Sequence, residues 1–156
     1  MSSGDGNPLA KRVKRWSGAF VCVFNSGFTR ILMLSRKSGP EHSKEWERRG
    51  EWGNIGGSVE PGETPIQALA REAREEIGIR LNKKRLVKVH VRRISPPGLY
   101  PCAMHFYATS IREGTRIRLN DESYRYRWFS LKRLPSKMLD SKKDILRWKD
   151  LARLRL

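Results

Sequence analysis

The segment 57–79, GSVEPGETPIQALAREAREEIGI, constrains this chain more than any other part of its sequence. Its second half predicts a helix, because Thr64 is a good N-cap, Pro65 suits a first turn and Gly78 ends the run. A loop rich in glycine and proline precedes this helix, and such a backbone can come close to a metal ion or a phosphate. The segment therefore predicts a loop followed by a helix.

Three carboxylates share one face of this predicted helix. Glu72, Glu75 and Glu76 stand at positions i, i+3 and i+4, which are neighbours on a helix surface. Glu72 and Glu76 repel each other, and a hard divalent cation such as Mg²⁺ would offset that repulsion. From these residues alone, a solvated charged face is the favoured interpretation. Arg71 could also pair with Glu63 and hold the loop against the helix.

The complete segment resembles the Nudix box, G-x5-E-x7-R-E-U-x-E-E-x-G-U, in which U is a bulky aliphatic or similar residue. Ala73 and Ile79 take the two U positions. The chain has the required residue at every fixed position: Gly57, Glu63, Arg71, Glu72, Glu75, Glu76 and Gly78. The resemblance implies a Nudix hydrolase with an α/β fold, an α/β/α sandwich around a mixed central sheet.

The resemblance also implies roles for individual residues. Its metal ligands would be the carboxylates of Glu72, Glu75 and Glu76 and the backbone carbonyl of Gly56. Its structural ion pair would join Glu63 to Arg71. Members differ in the residue that activates water, which leaves three candidates for the catalytic base: Glu75, Glu76 and Glu122. The chain departs from many members at Asn54-Ile55, where they carry Leu-Pro, and this leaves the conformation of the loop open.

The implied activity is Mg²⁺-dependent hydrolysis of a diphosphate linkage, with Mn²⁺ as a possible substitute. The substrate would be a nucleotide-like small molecule, first a nucleoside triphosphate or the 5′-triphosphate end of an RNA. An ADP-ribose-type substrate is the alternative, because the segment 94–98 (ISPPG) loosely resembles a Ser-Pro-Gly segment of relatives that cleave ADP-ribose. A Nudix module that binds nucleotide or RNA without turnover is the alternative from another class.

Strand-like and helical runs alternate along the chain and predict one domain over residues 16–156, after a flexible basic leader over 1–15. Strands are expected at 18–25, 30–35, 86–94, 102–111 and 124–129. A final amphipathic helix is expected at 141–154, with its apolar side chains facing inward: Ile145, Trp148, Leu151 and Leu154.

The net charge of +17 points to a polyanionic ligand, although a merely solvated basic surface would look the same. RNA is one candidate, and the C-terminal region from Tyr124 onward is rich in lysine and arginine. In the long polar loop after the second strand, Trp46 could stack on a base. Trp52 and Phe106 are expected to be core residues instead. Candidate phosphate-binding residues are Arg36, Arg48 and Arg49.

Cys22 and Cys102 lie among apolar residues and are expected to be free thiols of a reducing compartment. No run of about 20 apolar residues suggests a membrane span, and the start of the chain has no apolar signal core. These features predict a cytoplasmic protein that does not contact membranes. The oligomeric state stays open, with a homodimer plausible.

Overall fold

The computed structural model describes residues 17–36, 51–95, 102–121 and 123–156, without the side chains of Arg36 and Tyr124. Its strands are β1 (Ser17–Asn25), β2 (Arg30–Arg36), β3 (Trp52–Gly53), β4 (Ile55–Ser58), β5 (Val87–Ile94), β6 (Cys102–Ile111) and β7 (Ser123–Ser130). Its helices are α1 (Pro65–Ile77) and α2 (Lys142–Arg155), with a 3₁₀ turn at Lys83–Arg85.

Strand β1 is the centre of a mixed seven-stranded sheet. It runs parallel to β6 over its whole length, from Ser17 opposite Ala103 to Asn25 opposite Ile111. On its other edge, the first half of β1 pairs with β4 and the second half pairs with β2, both antiparallel. Strand β5 extends the sheet beyond β6, while β3 and β7 both pair with β2.

The two faces of the sheet bury separate apolar clusters. Because side chains alternate along a strand, Ala19, Val21 and Val23 of β1 lie in one cluster with apolar residues of α1. Cys22 and Phe24 lie in the other cluster with apolar residues of α2. Within the described residues one helix thus packs on each face, which confirms the expected α/β/α sandwich. No helix in the described ranges is long and apolar enough to cross a membrane.

The ends of α1 form as the sequence predicts. The Thr64 hydroxyl accepts a hydrogen bond from the Gln67 backbone, and the Gln67 side chain accepts one from the Thr64 backbone. At the other end, Gly78 adopts the left-handed conformation with φ of 68°. This capping fixes the start and end of the helix that carries the glutamates.

Helix α2 corrects one expectation. Ile145 and Trp148 are buried as predicted, but Leu151 is 38% exposed and Leu154 is 85% exposed. The third buried residue is Ala152, which lies seven positions after Ile145 and four after Trp148, and so continues their stripe. The larger leucines are rotated off that stripe, because spacing along a helix, rather than residue size, decides which side chains reach the sheet.

Candidate active site

Arg71 joins the loop before α1 to the acidic face of the helix. Its Nε and Nη2 donate hydrogen bonds to the two carboxylate oxygens of Glu63, each at 3.0 Å. Nη2 also donates to the backbone oxygen of Ser58 at 3.0 Å, and Nη1 donates to Glu72 at 2.9 Å. The Arg71 side chain is 25% exposed and that of Glu63 19% exposed. The two-pronged contact therefore ties the loop to the helix.

Mutual hydrogen bonding keeps this pair ionised. The Arg71 guanidinium holds the pKa of the Glu63 carboxyl below its usual value, and a backbone hydrogen bond from Glu60 acts in the same direction. The hydrogen bond to Glu63 in turn raises the pKa of Arg71, and Glu72 adds to that effect. Both partners are charged at neutral pH.

Two of the helix carboxylates lie against the glycines of β4. A Cβ atom added to Gly57 would meet the Glu72 carboxylate, with Oε1 at 2.6 Å. The backbone nitrogen of the preceding Gly56 donates a hydrogen bond to Oε2 of Glu76 at 3.3 Å. Glu76 is 2% exposed and the side chain of Glu72 is 13% exposed. The fold therefore brings Gly56, Gly57, Glu72 and Glu76 together.

Glu75 stands apart from this pair. Its side chain is 54% exposed, and its Oε2 lies 3.4 Å from Nη1 of Arg71. The same nitrogen is 2.9 Å from Glu72, so Arg71 bridges these two carboxylates. The three glutamates of one helix face thus have different surroundings, with Glu76 buried, Glu72 nearly buried and Glu75 largely exposed.

These residues suit a hard divalent cation by their chemistry, because they offer carboxylate oxygens beside the glycine backbone of β4. Among the described residues, no three acidic, histidine or cysteine side chains already form a metal cage. Glu72 and Glu75 bond to Arg71, and Glu76 bonds to Gly56.

Several residues singled out in the sequence fall outside what the structure describes. Trp46, Arg48, Arg49 and Glu122 lie between or beyond the described ranges. Arg36 is the last residue of β2, and only its backbone is described.

Trp52 and Phe106, the two aromatic residues expected in the core, are both buried. Trp52 is 7% exposed and meets the ring of Phe129 edge to face at 4.8 Å between centroids. Phe106 is 2% exposed and stacks on Trp148 of α2, also at 4.8 Å. Neither ring is available to stack on a base.

Sequence reasoning missed a partly buried polar pair beside β4. Nδ2 of Asn54 donates a hydrogen bond to Oδ2 of Asp140 at 2.9 Å, across 86 positions of the chain. Burial raises the pKa of Asp140, and it also raises that of the neighbouring Cys22 thiol. No local pattern could have found this contact. The only sign of this contact in the sequence was Asn54-Ile55 itself, which stands before the box where many members carry Leu-Pro.

The described fold places a carboxylate-bearing helix against a glycine strand within an α/β/α sandwich. A family model described as NUDIX domain matches residues 14–149 of this chain. The chain therefore belongs to the Nudix family.

Individual relatives have different named substrates. The dihydroneopterin triphosphate diphosphatase of Escherichia coli K12 is 30% identical over 105 residues, which are 67% of this chain and 64% of that protein. The chain thus spans less than two thirds of that relative's length. The ADP-ribose pyrophosphatase of Methanocaldococcus jannaschii is 30% identical over 124 residues, 78% of this chain and 68% of that protein.

A solved structure shares the fold along nearly its full length. The crystal structure of a MutT NUDIX hydrolase from Burkholderia pseudomallei matches with a TM-score of 0.66 and 27% identity. The match covers 86% of this chain and 98% of that one.

Proposed function

We propose that this chain is a pyrophosphohydrolase that cuts a diphosphate linkage in a nucleoside-diphosphate-linked substrate. The first candidates are a nucleoside triphosphate and the 5′-triphosphate end of an RNA. The observation that carries the proposal is the placement of the Glu72 and Glu76 carboxylates against the backbone of Gly56 and Gly57. Two carboxylates held this close to one strand favour a cationic ligand and, through it, a diphosphate.

The metal would be Mg²⁺, with Mn²⁺ as a substitute. Glu72, Glu75, Glu76 and the Gly56 carbonyl would hold it, and when bound it would neutralise diphosphate oxygens and acidify water. Arg71 has a positioning role, because its hydrogen bonds to Glu63 and Ser58 fix the loop while Nη1 holds Glu72.

The reaction is hydrolysis at phosphorus. A water oxygen forms a new P–O bond, the bridging P–O bond breaks, and the released phosphate or pyrophosphate carries the bridging oxygen away. One carboxylate accepts the proton of the attacking water. Glu75, Glu76 and Glu122 are the candidates for this base. The exposure of Glu75 leaves its oxygens accessible to water, whereas Glu76 is held by Gly56.

The substrate would be held by residues of the loop after β2 and the end of that strand. Arg36, Arg48 and Arg49 are proposed to bind its phosphates and Trp46 to stack on its base. The name of the Escherichia coli relative supports a triphosphate.

An ADP-ribose-type substrate is the second candidate, and the name of the archaeal relative favours it. A binding module without turnover is the candidate from another class. Against it stands the intact set of box carboxylates.

A substrate panel tests the proposal. Nucleoside triphosphates, a 5′-triphosphorylated oligonucleotide and ADP-ribose would be incubated with the protein, with and without Mg²⁺, and products followed by phosphate release and mass. We expect Mg²⁺-dependent hydrolysis that is fastest for the triphosphates. Fastest cleavage of ADP-ribose would select the second candidate, and binding without hydrolysis would select the third.

A cytoplasmic location and RNA binding are part of the same proposal, while the oligomeric state is left open and a homodimer is the first state to test. Cell fractionation tests the first, and light scattering of the purified protein tests the last.

A further inference from the structure

A cleft of about 340 Å³ opens at the C-terminal end of α1, and Arg74, Gly78, Arg80 and Arg118 line it. The left-handed turn at Gly78 leads the chain out of the helix toward Arg80. Arg118 arrives from the segment after β6, where its backbone nitrogen donates to the Ile77 oxygen at 2.9 Å. Three arginines, two from the segment around the end of α1 and one from the segment after β6, thus line one opening.

Their charge is not neutralised by the described part of the protein. No ion pair or side-chain hydrogen bond within those residues involves Arg74, Arg80 or Arg118, whereas four other arginines have acidic partners: Arg30, Arg71, Arg92 and Arg147. The C-terminal end of a helix supplies roughly −0.5 of an elementary charge. That is far less than three full positive charges, and all three arginines are exposed, so the cleft carries a net positive charge that an anion from solution can reach.

The shape and the surroundings of the cleft also suit an anion. The cleft is open to solvent and its lining is mainly polar, so a phosphate group can enter it. A Cβ atom on Gly78 would lie 3.3 Å from Cβ of Arg118, so glycine keeps the space between the two segments open. The same two segments carry further exposed cations at Lys83, Lys84, Arg85, Arg112 and Arg116.

We propose that this arginine cleft, formed by Arg74, Arg80 and Arg118, is a phosphate-binding site separate from the carboxylate site on the same helix. Guanidinium groups bind phosphate oxygens in pairs of parallel hydrogen bonds, which lysines cannot reproduce. The phosphate is either a phosphodiester of a nucleic-acid strand or free inorganic phosphate. The proposal does not depend on turnover by the protein.

The test uses the full chain without metal, in EDTA, so that the carboxylate site takes no part. One arm measures fluorescence anisotropy of a labelled single-stranded RNA with a 5′-hydroxyl end. The other arm follows the arginine Nε–Hε signals by NMR during titration with inorganic phosphate.

The test variant is R74Q/R80Q/R118Q. The comparison variant, K142Q/K143Q/R153Q, removes the same charge from the C-terminal region that the sequence favoured for RNA binding, at exposed positions of α2 that form no ion pair with a described residue. A third variant, R74K/R80K/R118K, keeps the charge and removes only the guanidinium groups. Circular dichroism establishes that all three variants are folded.

We expect saturable phosphate-induced shifts of three arginine signals that the glutamine variant lacks. For a phosphodiester, the glutamine variant should bind RNA at least about tenfold more weakly, with a log–log salt slope smaller by about 2. The lysine variant should also bind more weakly, and the α2 comparison variant should keep its affinity within about threefold.

Phosphate shifts with unchanged RNA affinity in the glutamine variant would identify free phosphate as the ligand. The proposal is overturned if neither probe binds the unmodified protein, or if the α2 comparison variant loses as much affinity as the cleft variant.

Discussion

The Glu72 carboxylate occupies the space that a side chain on Gly57 would take. Its Oε1 lies 2.6 Å from the position of an ideal Cβ there, and its second oxygen lies at 3.2 Å. Any other residue at position 57 would push this carboxylate away from β4. The glycine therefore sets the position of a proposed metal ligand on a neighbouring helix.

Replacing Gly57 by alanine should lower kcat/KM on a triphosphate by at least about tenfold, since displacements near 1 Å at a reacting centre are costly. The clash is with the end of a flexible side chain, so Tm should change little. Gly114→Ala is the control, because a Cβ there meets nothing within 4 Å. Unchanged kinetics of Gly57→Ala would remove Glu72 from the site.

Glutamine variants separate the three candidate bases. Glu76→Gln should keep the fold, because the amide oxygen can still accept the Gly56 hydrogen bond, yet it should lower kcat by roughly 100-fold or more. Glu75→Gln and Glu122→Gln are compared in the same assay at several pH values. The base is the residue whose loss abolishes the acidic limb of the kcat profile, and near-normal turnover by all three variants would place the chemistry elsewhere.

Divalent metal should bind between α1 and β4. Addition of EDTA should abolish hydrolysis, and Mg²⁺ or Mn²⁺ should restore it. In a Mn²⁺ titration followed by electron paramagnetic resonance, Glu72→Gln and Glu76→Gln should each weaken binding by about tenfold or more. Glu113→Gln is the control. It removes an acid that accepts a hydrogen bond from Asn25, and it should leave the affinity for Mn²⁺ unchanged. Equal affinity in all variants would contradict the assignment of these ligands.

The ion pair of Glu63 and Arg71 predicts a specific dependence of stability on pH. The folded pKa of Glu63 is lowered, so its stabilising contribution is complete above the unfolded pKa, about 4.3, and is lost as pH falls through the folded value. The difference in unfolding free energy between wild type and Glu63→Gln should thus be constant at neutral pH and shrink in acid. Urea titrations at several pH values measure it.

Glu60→Gln is the matched control for that series. Its carboxylate is 61% exposed and 3.8 Å from Arg71, which is too weak a contact to matter in water. If the difference in unfolding free energy between wild type and Glu63→Gln stays constant down to pH 2, the ion pair does not stabilise the fold.

Local patterns in the sequence were sufficient for much of the fold. The caps at Thr64 and Gly78 placed α1 correctly, because capping depends on residues close in sequence. The long strands β1 and β6 were found within one residue of their observed ends, since continuous apolar runs mark buried strands. The short strands β3 and β4 were not predicted, because segments of two and four residues show too little alternation of apolar and polar side chains.

Contacts between segments that are distant in sequence could not be predicted from local patterns. The sequence could suggest that Arg71 pairs with Glu63, eight positions away, but not that Arg118 lies beside Gly78. The basic charge was assigned to the C-terminal region, yet in α2 Arg147 and Lys149 have acidic neighbours at 3.5 and 3.1 Å. Which cations are neutralised is decided by tertiary structure, and a net charge cannot reveal it.

The pairing of β1 with β6 has a consequence for how the protein is made. Strand β1 pairs with β4 on one edge and packs against α1. The hydrogen bonds on its other edge form only with residues 103–111. A ribosome that has just finished α1 has not yet synthesised that partner, so the nascent glutamate helix rests on a half-paired strand. Contacts this distant in sequence slow folding. The carboxylate site should therefore mature only after residue 111 has been synthesised, although all of its described residues precede Gly78.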